Sequence, residues 1–373
     1  MNLPKNHKSY TDKYFSRTKE ILEAEGLNPK VSVKVFTRGI GNVVGLDDTV
    51  EVLTKFSNIE KTGEIWVTKK HTYNTKDSLI IYKAPAQDVV DLETLSLGVL
   101  SDALSKDKGL KESSPQEITD KFRRLKEIYQ DVPILYFGAR HYHWSKDAEI
   151  AKAALAGGAV QTSTDVGSAN IGKEGVGTTP HFLTLVLAAI YGKELATLKT
   201  AQLFDKHIDP SVPRTTLTDT FNKELTDSLA VAKYFGQRKN SFRIDTCGEN
   251  IGEGGSLYNG QKTKDPSYQM GTGVTVELAK NLRMNLINNG FGDFTETVLS
   301  SSFGNEEKAK IFMQANQEFK EKTGYNLFAA VGIGEVYKAQ FCTADIFEVD
   351  GKPMSKIGRE VNEIDYTQMR RVI

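Results

Sequence analysis

The chain has 373 residues, of which 39% are hydrophobic and 26% charged. These values are typical of a globular protein and exclude a disordered or collagen-like chain. The length exceeds what one hydrophobic core normally serves, so more than one structural unit is expected. The 48 basic and 48 acidic side chains cancel, which excludes the net positive field on which nonspecific nucleic-acid binding depends. No apolar run approaches the roughly 18 residues of a membrane span, so no membrane partner is expected.

The N-terminal residues carry charges where a secretory signal would be apolar, so a cytoplasmic location is expected. Cys247 and Cys342 lie far apart and outside any CxxC motif. They are predicted to be buried, reduced thiols, and no zinc site is expected.

The first predicted unit, residues 1–112, mixes a helical pattern with β-rich stretches. The helical pattern covers Ser16–Glu25, and the β-rich stretches include Val31–Phe36 and Ser78–Tyr82. This mixture predicts an α+β domain, and a further helical stretch at Asp91–Ser105 lies near its end.

A helix-start signal opens the second predicted unit, residues 113–337. Ser114 is a candidate N-cap, followed by Pro115 and by Glu117 three residues after the cap. Beyond it, short apolar runs alternate with helical patterns. The apolar runs are Val132–Phe137, Gly158–Thr164, Thr200–Phe204, Arg214–Thr218, Ser241–Thr246, Phe294–Ser300 and Leu327–Val331. The helical patterns include Asp147–Ala156, Asp227–Phe235, Val274–Ile287 and Glu306–Lys322.

Repeated strand and helix patterns of this kind predict an α/β fold with a parallel sheet. About seven strands in this length favour a closed or nearly closed α/β barrel, with a doubly wound open sheet as the alternative. In both architectures ligands bind at the carboxyl ends of the strands. The last unit, residues 338–373, alternates apolar and polar residues around Asp350-Gly351. It predicts a β-hairpin that packs back on the N-terminal domain.

Candidate site residues follow the first strands of the second unit. Phe137 offers an aromatic face, and Arg140 is suited to binding a carboxylate or a phosphate. The alternative is a surface loop with a salt-bridged arginine. Asp165 follows the next strand. After it, a glycine-rich stretch with Thr178 leads to His181 at the start of an apolar helix, where main-chain amides bind anions readily.

Later strands end in a charged pair and in two loops of small residues. Alternation places Arg243 and Asp245 on one face of a strand, either as a structural ion pair or as ligands. The two loops contain Ser301 and Ser302, and Gly332 and Gly334, which can bring main-chain N–H groups close to a phosphate. Neither a P-loop nor a GxGxxG motif is present, which argues against a P-loop NTPase and a Rossmann dehydrogenase.

Several short motifs, in order along the chain, resemble those of the nicotinate phosphoribosyltransferase family, which is related to the nicotinamide and quinolinate enzymes. The matching segments are Thr11–Tyr14 (T-D-x-Y), Phe137–Arg140 (F-G-x-R), Gly177–His181 (G-T-x-x-H), Arg243–Thr246 (R-x-D-S), Glu93–Gly98, Gly273–Leu278 and Thr343–Pro353. The chain departs from the family at His141, where a second arginine is common, at Ser302, where glycine is usual, and at Glu335, where threonine is common.

The resemblance implies an irregular parallel α/β barrel with an N-terminal α+β domain, assembled as a homodimer with shared active sites. It implies an enzyme that forms nicotinate mononucleotide from nicotinate and phosphoribosyl pyrophosphate, with Mg²⁺ and ATP hydrolysis. Tyr14 would reach the neighbouring subunit's site and sandwich the pyridine ring with Phe137. Arg140, with His141 beside it, would bind phosphate or carboxylate.

The remaining roles also follow from the resemblance. Thr178 and Arg243 would contact nicotinate, and Asp245 would hold the ribose or its metal. Gly332 and Gly334 would line the 5′-phosphate pocket, and His181 would be phosphorylated by ATP. Two alternatives stay open: a phosphoribosyltransferase for quinolinate, nicotinamide or another base, and a non-catalytic barrel that binds a phosphorylated metabolite.

Overall fold

The structure, a computed structural model, describes residues 3–360 and 364–373. Two short parts of the predicted units lie outside the described residues. They are the first two residues of the N-terminal domain and residues 361–363 of the C-terminal segment. The strands are β1 (Lys30–Thr37), β2 (Gly41–Asn42), β3 (Glu64–Thr68), β4 (Thr72–Tyr73), β5 (Ile80–Pro85), β6 (Ile134–Tyr136), β7 (Gln161–Thr162), β8 (Thr215–Leu217), β9 (Asn240–Ile244), β10 (Thr295–Leu299), β11 (Ala330–Ile333), β12 (Cys342–Val349), β13 (Lys352–Pro353) and β14 (Met369–Arg371).

The helices are α1 (Lys13–Ala24), α2 (Leu46–Lys55), α3 (Ile59–Thr62), α4 (Ala86–Val89), α5 (Glu93–Asp107), α6 (Pro115–Tyr129), α7 (Asp147–Ala156), α8 (Asp165–Ser168), α9 (His181–Tyr191), α10 (Lys193–His207), α11 (Glu224–Phe235), α12 (Val276–Asn288) and α13 (Glu306–Thr323). Helix α6 begins with the predicted capping box, in which the Ser114 hydroxyl and the Glu117 carboxylate each accept from the other residue's main-chain N–H.

The first sheet is antiparallel, with strand order β13-β12-β1-β5-β3-β14. Its central strand β1 alternates valines with small or polar residues, and most of its residues are buried. The hairpin β12–β13 turns at Asp350-Gly351, both with positive φ (48° and 76°), which is the backbone that an Asp-Gly turn favours. Because β12 pairs with β1, the predicted return of the C-terminal hairpin to the N-terminal domain is confirmed.

The second sheet is parallel, with strand order β7-β6-β11-β10-β9-β8. Its edge strands β7 and β8 are not paired with each other in the described structure, so the curled sheet is a half-barrel that stays open between them. The predicted fold class, a mixed α/β protein with an irregular parallel barrel and an N-terminal α+β unit, is confirmed.

One predicted strand, Thr200–Phe204, is wrong, because it forms part of helix α10. The short apolar run is the end of a longer helical pattern, in which Ala196, Thr200 and Phe204 recur at intervals of four residues and are all buried. The parallel sheet therefore has six strands.

Two hydrophobic cores support the two sheets. The first packs the antiparallel sheet against α1, α5 and α9, and the second packs the parallel sheet against α6, α7 and α11–α13. Helix α10 contributes Phe204 to the first core and Ala201 to the second, so it joins them. Cys247 and Cys342 are free and buried, as predicted. Among the described residues, no helix combines the length and the apolar character needed to cross a bilayer.

Candidate active site

The loops at the carboxyl ends of the parallel strands lie against one another. A side chain at Gly332 would place its Cβ 2.6 Å from the Phe137 ring, and one at Gly138 would place its Cβ 2.3 Å from the carbonyl oxygen of Gly334. The end of β11 and the loop after it therefore touch the loop after β6 through glycines, which allow the main chain to approach closely. This edge brings together Phe137, Gly332 and Gly334, as the sequence predicted.

Arg140 lies in a cluster of acidic and phenolic groups. Its Nη1 donates to Glu93 Oε1 at 2.9 Å, its Nη2 donates to the Tyr14 hydroxyl, and its Nε is 3.8 Å from Asp12 Oδ2. Burial opposes the charge of Arg140, but Tyr14, Asp12 and Glu93 outweigh it and raise the pKa of Arg140 above its usual value. Burial also raises the pKa of Glu93 to about 7, with the charge of Arg140 opposing. The protein itself thus already holds this guanidinium in place.

Tyr14 belongs to the cluster of its own chain. Its hydroxyl donates to Asp12 Oδ2 at 3.2 Å and accepts from Arg140, and only 5% of the residue is exposed. These bonds place Tyr14 beside Arg140 of its own chain, and the expectation that Tyr14 reaches a neighbouring subunit's site stays a prediction. Burial raises the pKa of Tyr14 well above its usual value, against the opposing charges of Arg140 and Arg243. Both arginines are therefore near the phenol.

Arg243 and Asp245 lie near each other at the carboxyl end of β9, as alternation predicted. Arg243 Nη1 is 3.9 Å from Asp245 Oδ2, and Ser300 Oγ donates to Asp245 Oδ1 at 2.7 Å. The Asp245 side chain is 29% exposed. Ser300 thus fixes one oxygen of this carboxylate, while the other oxygen lies 3.9 Å from Arg243, and the side chain is partly open to solvent.

The predicted residues of the glycine-rich stretch have partners within the protein. Lys13 Nζ donates to both oxygens of Asp165, and the Gly175 N–H donates to Asp165 Oδ1 at 2.8 Å. Asp165 therefore ties this stretch to α1, and its carboxylate is already paired. Thr178 Oγ1 donates to the carbonyl oxygen of Thr215 at the start of β8.

Gly177 allows the stretch to pass beside Tyr14. Its φ is 128°, a backbone conformation that favours glycine, and a Cβ there would lie 3.0 Å from the Tyr14 ring.

His181 begins helix α9 and has a lysine against its ring. Lys356 Nζ lies 2.8 Å from His181 Nε2 and also donates to Asp219 Oδ2. The other ring nitrogen, Nδ1, is 3.0 Å from Thr220 Oγ1. Burial, followed by the charge of Lys356, holds the pKa of His181 well below its usual value. This arrangement fits a neutral imidazole that donates through Nδ1 and accepts at Nε2.

His141 is a neutral neighbour of Arg140. Burial, and then the charge of Arg140, lower the pKa of His141 to about 3. Its ring stacks on Phe341 with centroids 4.7 Å apart. His141 therefore lacks the charge of a second arginine.

Sequence reasoning assigned no role to several charged residues of this region. Asp219 follows β8 as Asp245 follows β9, so the rule that ligands gather at strand ends could have found it. Lys356 lies 137 residues further along the chain than Asp219, in the C-terminal segment, and no local pattern indicates it. Lys308, on the first turn of α13, reads in the sequence as one more helical lysine.

The side chains also bear on the expected Mg²⁺. Within the described part of the chain, no three histidine, cysteine, aspartate or glutamate residues are arranged as a metal site. Mg²⁺ often binds through one carboxylate together with substrate phosphates and water. The partly exposed Asp245 fits that use, as a single ligand to a metal that the substrate brings.

The curled parallel sheet and the antiparallel sheet that receives the C-terminal hairpin form an overall fold that solved phosphoribosyltransferases share. No protein-family profile matches the sequence, and no curated protein matches it. Solved structures do match it.

One similar structure is a Saccharomyces cerevisiae protein provisionally assigned as a nicotinate phosphoribosyltransferase, with a TM-score of 0.68 and 15% identity over 96% of this chain and 94% of that one. The nicotinate phosphoribosyltransferase of Vibrio cholerae has a TM-score of 0.65 and 13% identity over 94% of this chain and 88% of that one. The nicotinate phosphoribosyltransferase of Porphyromonas gingivalis has a TM-score of 0.62 and 15% identity over 93% of this chain and 92% of that one. At these identities the likeness shows the fold.

Proposed function

We propose that this chain is a nicotinate phosphoribosyltransferase that serves NAD synthesis. It would join nicotinate to phosphoribosyl pyrophosphate and release nicotinate mononucleotide and pyrophosphate. The observation that carries this proposal is the grouping of Arg140 and Arg243 near Tyr14, with the Asp245–Ser300 pair beside Arg243. The loosely paired Arg243 suits an anionic base, and the partly exposed Asp245 suits a ribose.

The reaction needs charge stabilisation more than a protein nucleophile. The pyridine nitrogen forms a bond to ribose C1′ while the bond from C1′ to the pyrophosphate oxygen breaks, and the pyrophosphate leaves with the electron pair. In the transition state the ribose ring carries positive, oxocarbenium-like charge, so a nearby carboxylate and a fixed geometry lower the barrier. We assign the ribose hydroxyls to Asp245, the base carboxylate to Arg243 and the face of the pyridine ring to Phe137. Mg²⁺, when bound, would neutralise charge on the leaving pyrophosphate.

We further propose that a ring nitrogen of His181 takes the γ-phosphoryl group of ATP with release of ADP, and that hydrolysis of this phosphohistidine to inorganic phosphate drives nucleotide formation. The neutral imidazole supports this assignment, because an unprotonated ring nitrogen is a competent nucleophile. Lys356, which lies against Nε2, would pair with a phosphoryl group at that nitrogen. A cytoplasmic homodimer remains part of the proposal.

The neutral state of His141 favours nicotinate over quinolinate as the base. Quinolinate carries two carboxylates and would need a further cation in the pocket. Arg140 already bonds to Glu93 and Tyr14, which leaves Arg243 as the less committed cation. One loosely paired arginine can bind the single carboxylate of nicotinate.

The direct test incubates the purified protein with phosphoribosyl pyrophosphate and Mg²⁺, with and without ATP, and with nicotinate, nicotinamide or quinolinate in turn. Chromatography of the nucleotide and an assay of pyrophosphate give the rates. We expect nicotinate mononucleotide as the main product, formed in greater yield with ATP. Product from none of the three bases would overturn the proposed function.

A further inference from the structure

Lys308 is a buried lysine without a carboxylate partner. The residue is 3% exposed, and its Nζ donates to the carbonyl oxygen of Ser301 at 2.9 Å. Among the described residues, no carboxylate oxygen lies within 4.0 Å of this ammonium. An ammonium can donate three hydrogen bonds, and a buried charge is costly unless it is paired. Lys308 therefore lacks a counter-charge that its surroundings call for.

Aromatic rings enclose the Lys308 ammonium. The centroid of the Phe303 ring is 4.2 Å from Nζ, and those of Tyr268 and Phe312 are each 5.5 Å away. Ring faces attract a cation but carry no net charge. Burial lowers the pKa of Lys308 to about 7, and the charge of Lys264 adds to this effect while that of Asp245 opposes it. A negatively charged ligand nearby would restore the charged lysine.

The loop that Lys308 contacts has four main-chain N–H groups without acceptors. Across residues 3–360 and 364–373, the N–H groups of Ser301–Gly304 donate to no protein atom. Ser301 and Ser302 both have positive φ, 78° and 64°, which is costly for residues other than glycine and persists where the surroundings hold it. This loop follows β10 at the edge of the sheet where the other site residues lie, next to Ser300 and Asp245.

Lys308 also sets the direction of one peptide group in this loop. In a trans peptide the C=O and the N–H point in opposite directions. Lys308 binds the Ser301 carbonyl oxygen, so the N–H of Ser302, in the same peptide group, points away from the lysine. The free N–H groups and the buried lysine thus lie in one small region, where the described structure places no carboxylate oxygen within 4.0 Å of the ammonium.

We propose that Lys308 is a positioning residue for a phosphate monoester, the 5′-phosphate of the sugar substrate. It orients the Ser301–Ser302 peptide, and it provides the buried positive charge that the phosphate neutralises. The inference rests on the proposed function for the identity of the sugar. The binding of a phosphate can be measured without turnover.

The test compares Lys308→Met and Lys308→Arg with the parent protein, with Lys310→Met as the matched control. Lys310 is an exposed lysine on the same helix. Calorimetry gives the dissociation constants for ribose 5-phosphate and inorganic phosphate, and thermal unfolding is followed without ligand. We expect Lys308→Met to weaken the binding of both ligands by about tenfold or more, because it removes a nearby positive charge and the hydrogen bond that fixes the Ser301–Ser302 peptide. Lys308→Arg should retain part of the affinity, and Lys310→Met should behave like the parent.

A purely structural role for Lys308 predicts that Lys308→Met lowers Tm. We expect instead that Tm stays unchanged or rises, because the variant removes an unpaired buried charge and keeps an apolar side chain. In steady-state kinetics, Lys308→Met should raise KM for phosphoribosyl pyrophosphate at least as much as Kd for ribose 5-phosphate, and leave KM for nicotinate within about twofold. If Lys308→Met does not fold, Lys308→Gln serves in its place.

The outcomes separate this inference from the proposed function. If Lys308→Met binds ribose 5-phosphate as the parent does, the role of Lys308 is wrong even where nucleotide is formed. If the parent forms no nucleotide but binds ribose 5-phosphate through Lys308, the inference stands and the proposed function fails. A parent that forms nucleotide and shows no dependence on Lys308 in any of these measurements also overturns the inference.

Discussion

Arg140 and Arg243 differ in how closely other side chains of the protein pair with them. Arg140 bonds to Glu93 and Tyr14 and lies near Asp12, whereas the nearest carboxylate oxygen of Asp245 is 3.9 Å from Arg243. An arginine with a loose partner can exchange it for a ligand at lower cost. The choice of base should therefore depend mainly on Arg243.

Arg243→Gln should remove the preference for nicotinate over nicotinamide. In the parent we expect this preference to be about thirtyfold in kcat/KM, or about 2 kcal/mol, as one charge-assisted pair provides. The variant should lose activity with nicotinate and change little with nicotinamide. The exposed Arg123 gives the control, Arg123→Gln. Equal use of the two bases by the parent would contradict the assignment.

His181→Ala should abolish the incorporation of phosphate from γ-labelled ATP and the effect of ATP on yield, while slow uncoupled nucleotide formation remains. The pyridine nitrogen, not His181, attacks the ribose, so the glycosyl transfer itself does not require the imidazole. Labelled protein from the parent should be acid-labile and stable in alkali. His71→Ala, at an exposed histidine, is the control. A coupled His181→Ala enzyme would exclude the phosphohistidine.

At the scale of elements, a buried carboxylate connects helix α7 to the loop after β7. Asp147 is 3% exposed, and Thr164 Oγ1 donates to its Oδ2. Burial raises the pKa of Asp147 to about 7. A raised carboxyl pKa gives stability that is complete below the unfolded pKa of about 3.9 and is lost as pH rises through the folded pKa.

Asp147→Asn should therefore flatten the dependence of stability on pH. Between pH 5 and 8 the parent should lose about 2 kcal/mol of unfolding free energy relative to the variant, because the Asp147 carboxyl keeps its proton up to about pH 7 only in the folded state, and asparagine has no such proton. Urea unfolding at the two pH values measures the difference. Asp131→Asn, at an exposed aspartate, should follow the parent. A parent and an Asp147→Asn variant with parallel pH profiles would show that this carboxyl does not titrate there.

At the scale of the whole molecule, the candidate site lies where the two cores meet. Helix α9, which begins with His181, packs into the first core, while Asp219 and Asp245 follow strands of the parallel sheet. Lys356 crosses this junction from the C-terminal segment to His181 and Asp219. The hairpin that returns to the N-terminal sheet thereby brings a site residue with it.

The position of Tyr14 predicts the result of mixing subunits. Because Tyr14 and Arg140 bond within one chain, a heterodimer of Tyr14→Ala and Arg140→Ala subunits would have two damaged sites. If each site is built within one chain, co-refolded mixtures should stay inactive. A shared site would instead leave one intact site in each heterodimer and restore about a quarter of the parent activity. Light scattering should establish that the mixture is dimeric, since an active monomer would itself exclude shared sites.

The amino-acid sequence by itself determined the elements and the faces of many side chains. Alternation placed Arg243 and Asp245 together, the Asp-Gly turn placed the C-terminal hairpin, and the capping box placed the start of α6, because each depends on residues a few positions apart. The strand predicted for Thr200–Phe204 is wrong, because a short apolar run has the same pattern in a strand and in a buried helix.

Only the tertiary structure decided which charges meet. Tyr14 and Arg140 are 126 residues apart, and His181 and Lys356 are 175 residues apart. Their contacts depend on how the two cores pack, and no local periodicity records that packing. The missing counter-charge of Lys308 is of the same kind, because burial, aromatic neighbours and the absence of a carboxylate within 4.0 Å in the described structure are properties of the folded surroundings.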